Sequence, residues 1–237
     1  MDGGAHPDPL AGRLEVLRRQ LPVATRLLAV SKGQPAEAIR AAVAAGQRSF
    51  GESRLQEAVA KQAQLQDLGP LDWHFIGRLQ ANKARGVLRH FSTIHSVDSP
   101  ELAQRLQRIA AEENLSPAIL FQVKLAPDPA KTGFDPEALR QAWPRLSRLE
   151  PLRPVGLMTI APLGLDRQER LALFGRCRDL AAELGLGELS MGMSGDWSEA
   201  VEAGSTWVRL GSGLFGPRPA AAGTEPGMDT AAKACTG

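Results

Sequence analysis

The chain alternates short apolar runs with longer stretches whose apolar residues follow helical spacing. Eight of the runs have the length and composition of β-strands. These runs cover residues 27–30, 48–50, 73–76, 93–97, 118–125, 155–160, 188–193 and 207–210. A helix or a short helical turn is predicted after each run, and one more helix at residues 10–21 precedes the first. Ser53 is predicted to cap the helix after the second strand, because its hydroxyl can accept a hydrogen bond from a first-turn amide.

Alternation of strand and helix is typical of a parallel sheet with right-handed crossovers. Eight units within about 210 residues fit the lower end of the (β/α)8 range, so a single TIM barrel is the predicted α/β fold. A doubly wound open sheet is the alternative. We assign residues 10–218 to the barrel and expect flexible termini at residues 1–9 and 219–237.

Composition narrows the function classes. Hydrophobic residues make up 43% and charged residues 23% of the chain, which is ordinary for a globular protein of 237 residues. The 28 basic and 26 acidic residues give a net charge of +2, which provides no electrostatic footprint for nucleic acid. No apolar run approaches the length of a membrane-spanning helix, and the first residues do not resemble a signal peptide. With two cysteines and no disulfide framework, the expected compartment is the cytoplasm.

Polar and glycine residues gather where the predicted strands end. In a TIM barrel the carboxyl ends of all strands meet at one face, and that face carries the active site. Strand one ends at residues 31–33, strand two at 51–53, strand seven at 192–195 and strand eight at 211–213. The sequence therefore predicts a binding or catalytic site at this rim.

Lys32 is the first candidate, because it directly follows an apolar strand and precedes Gly33. A free lysine has a pKa of about 10.4 and is a poor nucleophile at neutral pH. Desolvation at the barrel mouth would lower that pKa and allow the amine to form a Schiff base. The alternative, from position alone, is a solvated surface lysine.

Residues 211–216 match the pattern G-x-G-x-x-G. The dinucleotide-binding interpretation requires a long helix after the pattern, and Pro217 and Pro219 prevent it. A barrel offers the pattern another role, since phosphate groups often bind between the loops after strands seven and eight, next to a short helix.

Four residues of these two loops would suit a phosphate group. Ser194 and Ser212 supply hydroxyls, and Gly195 and Gly211 supply unhindered amides. The alternative is that the glycines only shape tight turns.

Arg209 and two histidines lie within predicted strands. Strand alternation allows Arg209 to point into the barrel mouth, where a buried guanidinium requires an acceptor or a ligand. The alternative is an outward Arg209 that pairs with a helix carboxylate. His74 and His95 have no carboxylate or cysteine at a metal-binding spacing, so we predict core histidines and no metal site.

Seven runs together resemble one known family. They are LLAVSKGQP, FGES, HFIGRLQANK, IHSVDS, GLMTI, SMGMSGDW and VRLGSGLFG, and they extend over about residues 10–218. They are similar to the pyridoxal phosphate homeostasis proteins, and the combination of AVSK, HFIGxLQxNK and SMGMSxD is highly specific. The resemblance implies a barrel of the alanine racemase N-terminal-domain type without the second β domain. It implies a carrier or buffer of the cofactor for intracellular vitamin B6 and amino-acid homeostasis, without established catalytic turnover.

The resemblance also implies which residues bind the cofactor. Pyridoxal phosphate would be held as an aldimine on Lys32, with Arg209 at the pyridine nitrogen and phosphate contacts from Ser194, Gly211 and Ser212. Because arginine acts as a donor toward that nitrogen, the ring would stay unprotonated and would be a weaker electron sink.

Three further cofactor contacts are implied, from Ser53, His74 and Met158. Ser53 stands where the family often has asparagine, and Gln34 stands where many members have a second lysine. Lys131 matches the lysine of the family's loop after strand five. The implied partners are apo forms of pyridoxal phosphate-dependent enzymes, with no nucleic acid and no membrane, and we expect a monomer.

Two enzyme classes remain as alternatives. One is a pyridoxal phosphate-dependent racemase or decarboxylase of the same fold. The other is a lysine Schiff-base aldolase that binds a phosphorylated sugar and no cofactor. Inversion of the alanine racemase type uses a lysine and a tyrosine on opposite faces of the substrate, and this chain contains no tyrosine. The missing tyrosine argues against racemisation of this type, and the resemblance implies a binding protein rather than an enzyme.

Overall fold

Eight parallel strands form a closed barrel in the computed structural model, which describes residues 9–127 and 132–217. In chain order they are β1 (Arg26–Val30), β2 (Ser49–Glu52), β3 (Asp72–Phe75), β4 (Thr93–Val97), β5 (Ala118–Gln122), β6 (Arg153–Met158), β7 (Glu188–Ser190) and β8 (Trp207–Leu210). Each strand pairs with the next, and β8 pairs with β1. The predicted TIM barrel is confirmed, and the open-sheet alternative is wrong.

Helices surround the barrel. They are α1 (Pro9–Gln20), α2 (Ala36–Ala44), α3 (Leu55–Gln64), α4 (Ala84–His90), α5 (Pro100–Glu112), α6 (Pro136–Leu146), α7 (Arg167–Glu183), α8 (Trp197–Glu202) and α9 (Ser212–Phe215). Short 3₁₀ turns at Gln66–Leu68 and Ala81–Lys83 follow α3 and precede α4. α1 contacts both α2 and α9, so it packs beside the strand pair that closes the barrel.

The long helices begin at clear sequence signals. The Ser99 side chain accepts a hydrogen bond from the Leu102 amide at the start of α5. Asp166 and Glu169 form a reciprocal capping box at the start of α7. The predicted cap at Ser53 is wrong, because α3 begins after Arg54 without a side-chain cap. The Ser53 backbone instead packs against Gly77, where a Cβ would lie 2.3 Å from the Ser53 carbonyl oxygen.

Two strands, β5 and β7, end three residues earlier than their predicted runs. β5 ends at Gln122, where Val123 still donates to the Met158 carbonyl oxygen of β6 but also forms an isolated bridge with Phe134 in the following loop. β7 ends at Ser190, after which Met191 and Gly192 still form backbone hydrogen bonds with Trp207 and Arg209 of β8, and Gly192 takes a φ of +88°.

Strand residues alternate between two buried environments. Outward positions such as Ala29, Phe50 and Ile119 belong to a large apolar cluster shared with the helices. Inward positions are buried as well, but four of them are polar: His74, His95, Ser190 and Arg209. His95 on β4 reaches Ser190 on β7 across the barrel, so this polar set occupies the interior. The interior is therefore a place for chemistry as well as for packing.

Residues 1–8 and 219–237 of the predicted flexible termini lie outside the described residues, as does Lys131, whereas Pro9 is the first residue of α1. Within the described ranges, no helix has both the length and the apolar character needed to cross a membrane.

Candidate functional site

β1 and β8 bring the two main parts of the predicted site together. Their register pairs Ala29 with Leu210. A Cβ on Gly211 would lie 3.3 Å from the Val30 carbonyl oxygen, so the residues after the two strands are neighbours at the rim. Lys32 therefore emerges beside the loop that follows β8.

Lys32 lines a cleft of about 230 Å³ together with Gly33, Ser53, Arg54 and Glu57. The residue is exposed. The expectation that the protein desolvates the amine itself stays a prediction, since exposure describes Lys32 as a whole residue within this cleft. The structure does bring Ser53 to the same cleft as Lys32.

A buried charge cluster, formed by Glu52, Glu57 and Lys61, holds the backbone on both sides of Lys32. Lys61 Nζ donates to the carbonyl oxygen of Ser31 at 2.7 Å. Glu57 Oε1 accepts a hydrogen bond from the amide of Gly33. The Lys61 ammonium also donates to Glu57 at 2.6 Å and to Glu52 at 2.7 Å. One ion-paired unit thus fixes the peptide that carries Lys32.

Glu52 is the most deeply buried member of this cluster, with an exposed fraction of 0%. Its Oε1 accepts from Ser31 Oγ and from Lys61, each at 2.7 Å, while its buried Oε2 has no partner among the described residues. Burial raises the pKa of Glu52, and Lys61 opposes that rise. Partial burial also acts to raise the pKa of Glu57, but hydrogen bonds from Lys61 and Gly33 lower it overall. Lys61 therefore supplies the positive charge that pairs with the carboxylates of Glu52 and Glu57.

Ser194 and Ser212 place two exposed hydroxyls 3.5 Å apart at the rim. The first hydrogen bonds of α9 are donated by Leu214 and Phe215 to Gly211, so the Ser212 amide precedes the intrahelical pattern. The two hydroxyls and this amide form a small set of donors next to Lys32.

Gly213 leaves space beside Ser194. Gly213 is not among the glycines with positive φ, so its missing side chain matters here for space rather than for backbone shape. A Cβ at Gly213 would lie 3.6 Å from Ser194 Oγ, so it would fill the space between the two loops. The absence of side chains here leaves a cradle lined by polar atoms.

Buried Asp196 fixes the turn that carries Ser194. Its Oδ1 accepts a hydrogen bond from the Met193 amide at 2.6 Å, directly before that serine. The sequence carries no signal for this acceptor role of Asp196, because the role depends on how the loop folds back.

Arg209 points into the barrel, and the outward alternative is wrong. Its Nη1 donates to the Ser190 carbonyl oxygen at 2.6 Å and to Ser190 Oγ at 2.7 Å, and Nη2 donates to the Thr159 carbonyl oxygen at 3.0 Å. Burial lowers the pKa of Arg209 to about 10, and Asp196 acts in the opposite direction. The guanidinium is therefore a cation at neutral pH, and it can act only as a hydrogen-bond donor.

His74 and His95 are hydrogen-bonded core residues. The distance from His74 Nδ1 to His95 Nε2 is 2.8 Å, and His74 Nε2 lies 2.7 Å from Asp72 Oδ2. His95 Nδ1 lies 2.8 Å from Ser190 Oγ. The described residues contain no group of three or more side chains suited to a metal ion.

The predicted cofactor-binding residues lie at three depths. Lys32, Ser53, Ser194, Gly211 and Ser212 are at the rim. Arg209 and Met158 are buried below it, and Met158 pairs in register with Ser190. His74 lies deeper, next to Asp72 at the start of β3. Sequence reasoning missed Glu52, Glu57, Lys61, Asp72 and Ser190.

The whole described chain matches one structural class. A family model of the alanine racemase N-terminal domain matches residues 6–219. A solved alanine racemase from Clostridium difficile has a TM-score of 0.72 over 91% of this chain and 57% of its own, at 18% identity. The chain is a TIM barrel of the alanine racemase N-terminal-domain class.

Relatives of higher identity define the family. The pyridoxal phosphate homeostasis protein of Synechocystis sp. is 49% identical over 204 residues, which are 84% of this chain and 94% of that protein. The one from Pseudomonas aeruginosa is 47% identical over 83% of this chain and 86% of its own. PipY of Synechococcus elongatus, solved without and with pyridoxal phosphate bound, is 56% identical, with TM-scores of 0.86 and 0.85 over 87% of this chain and 100% of PipY. The chain belongs to the pyridoxal phosphate homeostasis protein family.

Proposed function

We propose that this protein binds pyridoxal phosphate and serves as a carrier or buffer of the cofactor in vitamin B6 and amino-acid homeostasis, without catalytic turnover. The arrangement of the rim carries the proposal. It combines an exposed amine at Lys32, the hydroxyls of Ser194 and Ser212, and the guanidinium of Arg209 below them. The bound cofactor in PipY supports the assignment.

The residues present fit the three polar groups of the cofactor. Lys32 would hold its aldehyde end. Ser194, Gly211 and Ser212 would hold its phosphate through hydroxyls and amides, in the cradle that a Cβ at Gly213 would fill. Arg209 would donate to its ring nitrogen.

Ser53, Met158 and His74 would complete the surroundings of the cofactor. Ser53 shares the cleft of Lys32, and Met158 lies beside Ser190 on the neighbouring strand. His74 would act through its hydrogen bonds in the barrel interior. We assign residues 10–218 to the cofactor-binding unit.

The residues favour storage over turnover. When bound, pyridoxal phosphate supplies an aldehyde for attachment to an amine and a ring that can withdraw electrons. Arg209 carries no proton that it can release at neutral pH, so the ring nitrogen would accept a hydrogen bond and remain unprotonated. The chain has no tyrosine to act as a second base. We further propose a cytoplasmic monomer that passes the cofactor to apo-enzymes.

Reconstitution with pyridoxal phosphate, followed by desalting, tests the function. We expect a near-visible absorption band that stays with the protein and no racemisation of amino acids above the slow rate of free cofactor. Absorbance measures the first outcome, and hydrogen exchange with inversion of alanine in deuterated water measures the second.

Other outcomes would reject the proposal in different ways. Racemisation or decarboxylation at enzyme-like rates would make the protein an enzyme of the same fold. A colourless protein that cleaves a phosphorylated sugar would support the Schiff-base aldolase alternative instead.

Replacing both Ser194 and Ser212 with alanine tests the phosphate position. A hydrogen bond to a charged group contributes about 1.5–3 kcal/mol, so each lost hydroxyl should weaken pyridoxal phosphate binding about tenfold or more. Both side chains are exposed, so the apo-protein should lose less than about 0.5 kcal/mol of unfolding free energy. Pyridoxal, which lacks the phosphate, is the control ligand. An equal loss of affinity for both ligands, or no loss, would place the phosphate elsewhere.

A further inference from the structure

A continuous chain of hydrogen bonds runs through the barrel from the proposed cofactor site to its opposite end. It joins Arg209, Ser190, His95, His74 and Asp72, with 2.7–2.8 Å between successive side-chain atoms. Asp72 is the first residue of β3, and its side chain is 41% exposed. These hydrogen bonds therefore connect the partly exposed carboxylate of Asp72 with the buried guanidinium of Arg209.

The two ends of this chain have fixed roles. Arg209 only donates, so Ser190 Oγ accepts from it. At the other end, burial alone would raise the pKa of Asp72, but hydrogen bonds from His74, Ser92 and Ser49 lower it overall. An ionised carboxylate only accepts, so His74 Nε2 carries the hydrogen that faces Asp72.

The middle of the chain can then be assigned from donor and acceptor rules. His95 is neutral, because burial lowers its pKa well below the ordinary value, and the nearby Arg209 charge lowers it further. If His74 is neutral too, His95 Nε2–H donates to His74 Nδ1, and the Ser190 hydroxyl donates to His95 Nδ1. Every group then donates to the next one, from Arg209 to Asp72.

The opposite direction of donation, from His74 toward Ser190, would leave the buried Ser190 hydroxyl hydrogen without an acceptor. If His74 carried a second hydrogen, His95 Nδ1–H would have to donate to Ser190 Oγ, which already accepts from Arg209. Ser190 Oγ has hydrogen bonds with no other side chain in the described residues, so its own hydrogen would remain unpaired. The charged and titratable groups around His74 and His95 are Asp72 on β3 and Arg209 on β8, and the Trp207 ring packs on His74.

We propose that Ser190, His95, His74 and Asp72 are positioning residues, which hold Arg209 as a donor toward the cofactor's ring nitrogen through a chain polarised from Arg209 to Asp72. The proposal rests on the proposed function for the identity of the ligand. It assigns the Nε2–H tautomer to both histidines at neutral pH, before any cofactor is added.

Nitrogen-15 NMR of the histidine side chains in the wild-type protein, without cofactor, tests the polarity. We expect two neutral imidazoles with hydrogen on Nε2, identified by their loss in His74→Gln and His95→Gln. A His95 with hydrogen on Nδ1, or a His74 imidazolium at neutral pH, would overturn the assignment. This measurement does not depend on the cofactor.

The positioning role is tested with two ligands, pyridoxal phosphate and its 1-deaza analogue, which lacks the ring nitrogen. Wild-type protein should prefer pyridoxal phosphate, and Ser190→Ala should reduce this preference about tenfold, the effect of one hydrogen bond to a charged group. A merely structural defect would weaken both ligands equally and leave the ratio unchanged. Asp67→Asn, which removes a surface carboxylate paired with Arg40, is the control for Asp72→Asn.

The outcomes separate the two proposals. Asp72→Asn should reduce the preference for the ring nitrogen, while Asp67→Asn should not. An unchanged ratio in both Ser190→Ala and Asp72→Asn would reject the positioning role and leave the proposed function standing. Failure of the wild-type protein to bind pyridoxal phosphate would reject the proposed function, whatever the NMR result.

Discussion

The Lys32→Ala variant is expected to lose the near-visible absorption band completely after reconstitution and desalting, because in the proposed site Lys32 supplies the amine that holds the cofactor. Borohydride treatment should trap a covalent adduct in the wild-type protein and none in the variant, as measured by mass spectrometry. Lys32 is exposed on the rim, so the apo-variant should unfold at nearly the same urea concentration as the wild type. The loss would then reflect chemistry rather than folding.

Lys83→Ala is the matched control, since Lys83 ends the 3₁₀ turn before α4 and is also a lysine of the strand-end loops. It should retain the band and the adduct. An adduct that persists in Lys32→Ala would move the attachment point, and peptide mapping would then be directed at Lys83 and Lys131.

Much of the fold follows from the sequence, because a strand–helix repeat with eight apolar runs has few parallel arrangements. The ends of elements follow less well, since they depend on distant partners. The predicted strand runs to residue 125, but after Gln122 the backbone divides its hydrogen bonds, because Val123 still donates to Met158 of β6 while Lys124 donates to Phe134 in the crossover loop. Such a contact within a crossover loop leaves no periodic signal.

The rim residues could be predicted because strand ends converge in any TIM barrel. The groups that support them could not. Glu57 and Lys61 are an i,i+4 pair that in sequence looks like an ordinary surface pair. Ser190 and His95 are 95 positions apart and meet only across the closed barrel. Motif spacing reports the residues that face a ligand, whereas their buried supports depend on three-dimensional closure.

Lys61→Met is expected to destabilise the protein by about 3–5 kcal/mol, because it leaves the buried carboxylate of Glu52 without its cation. Glu52 is fully buried, and its only two hydrogen-bond donors in the described residues are Lys61 and Ser31. Methionine keeps a long unbranched side chain in place of lysine, so the main change is the loss of charge. Urea unfolding of the apo-protein measures the effect.

The loss of unfolding free energy in Lys61→Met should depend on pH. The folded-state pKa of Glu52 is raised by burial, and Lys61 opposes that rise, so removing Lys61 should raise it further. A carboxyl with a higher pKa in the folded state binds more protons folded than unfolded, so stability falls as pH rises through the interval between the two values. The difference between Lys61→Met and wild type should therefore be smaller near about pH 5 than near about pH 8. A difference that does not change with pH would show that Glu52 is not the cause.

The double variant Glu52→Gln/Lys61→Met separates stability from positioning. Removing both charges of a buried pair is often close to neutral, so much of the lost stability should return. The hydrogen bond from Lys61 to the Ser31 carbonyl is still absent, and Glu57 has lost the ammonium that orients it toward the Gly33 amide. The peptide that carries Lys32 should remain poorly ordered, and the double variant should bind pyridoxal phosphate more weakly than the wild type. If the double variant recovers both stability and full cofactor binding, the cluster serves folding alone. If stability recovers and binding does not, Lys61 positions the cofactor lysine.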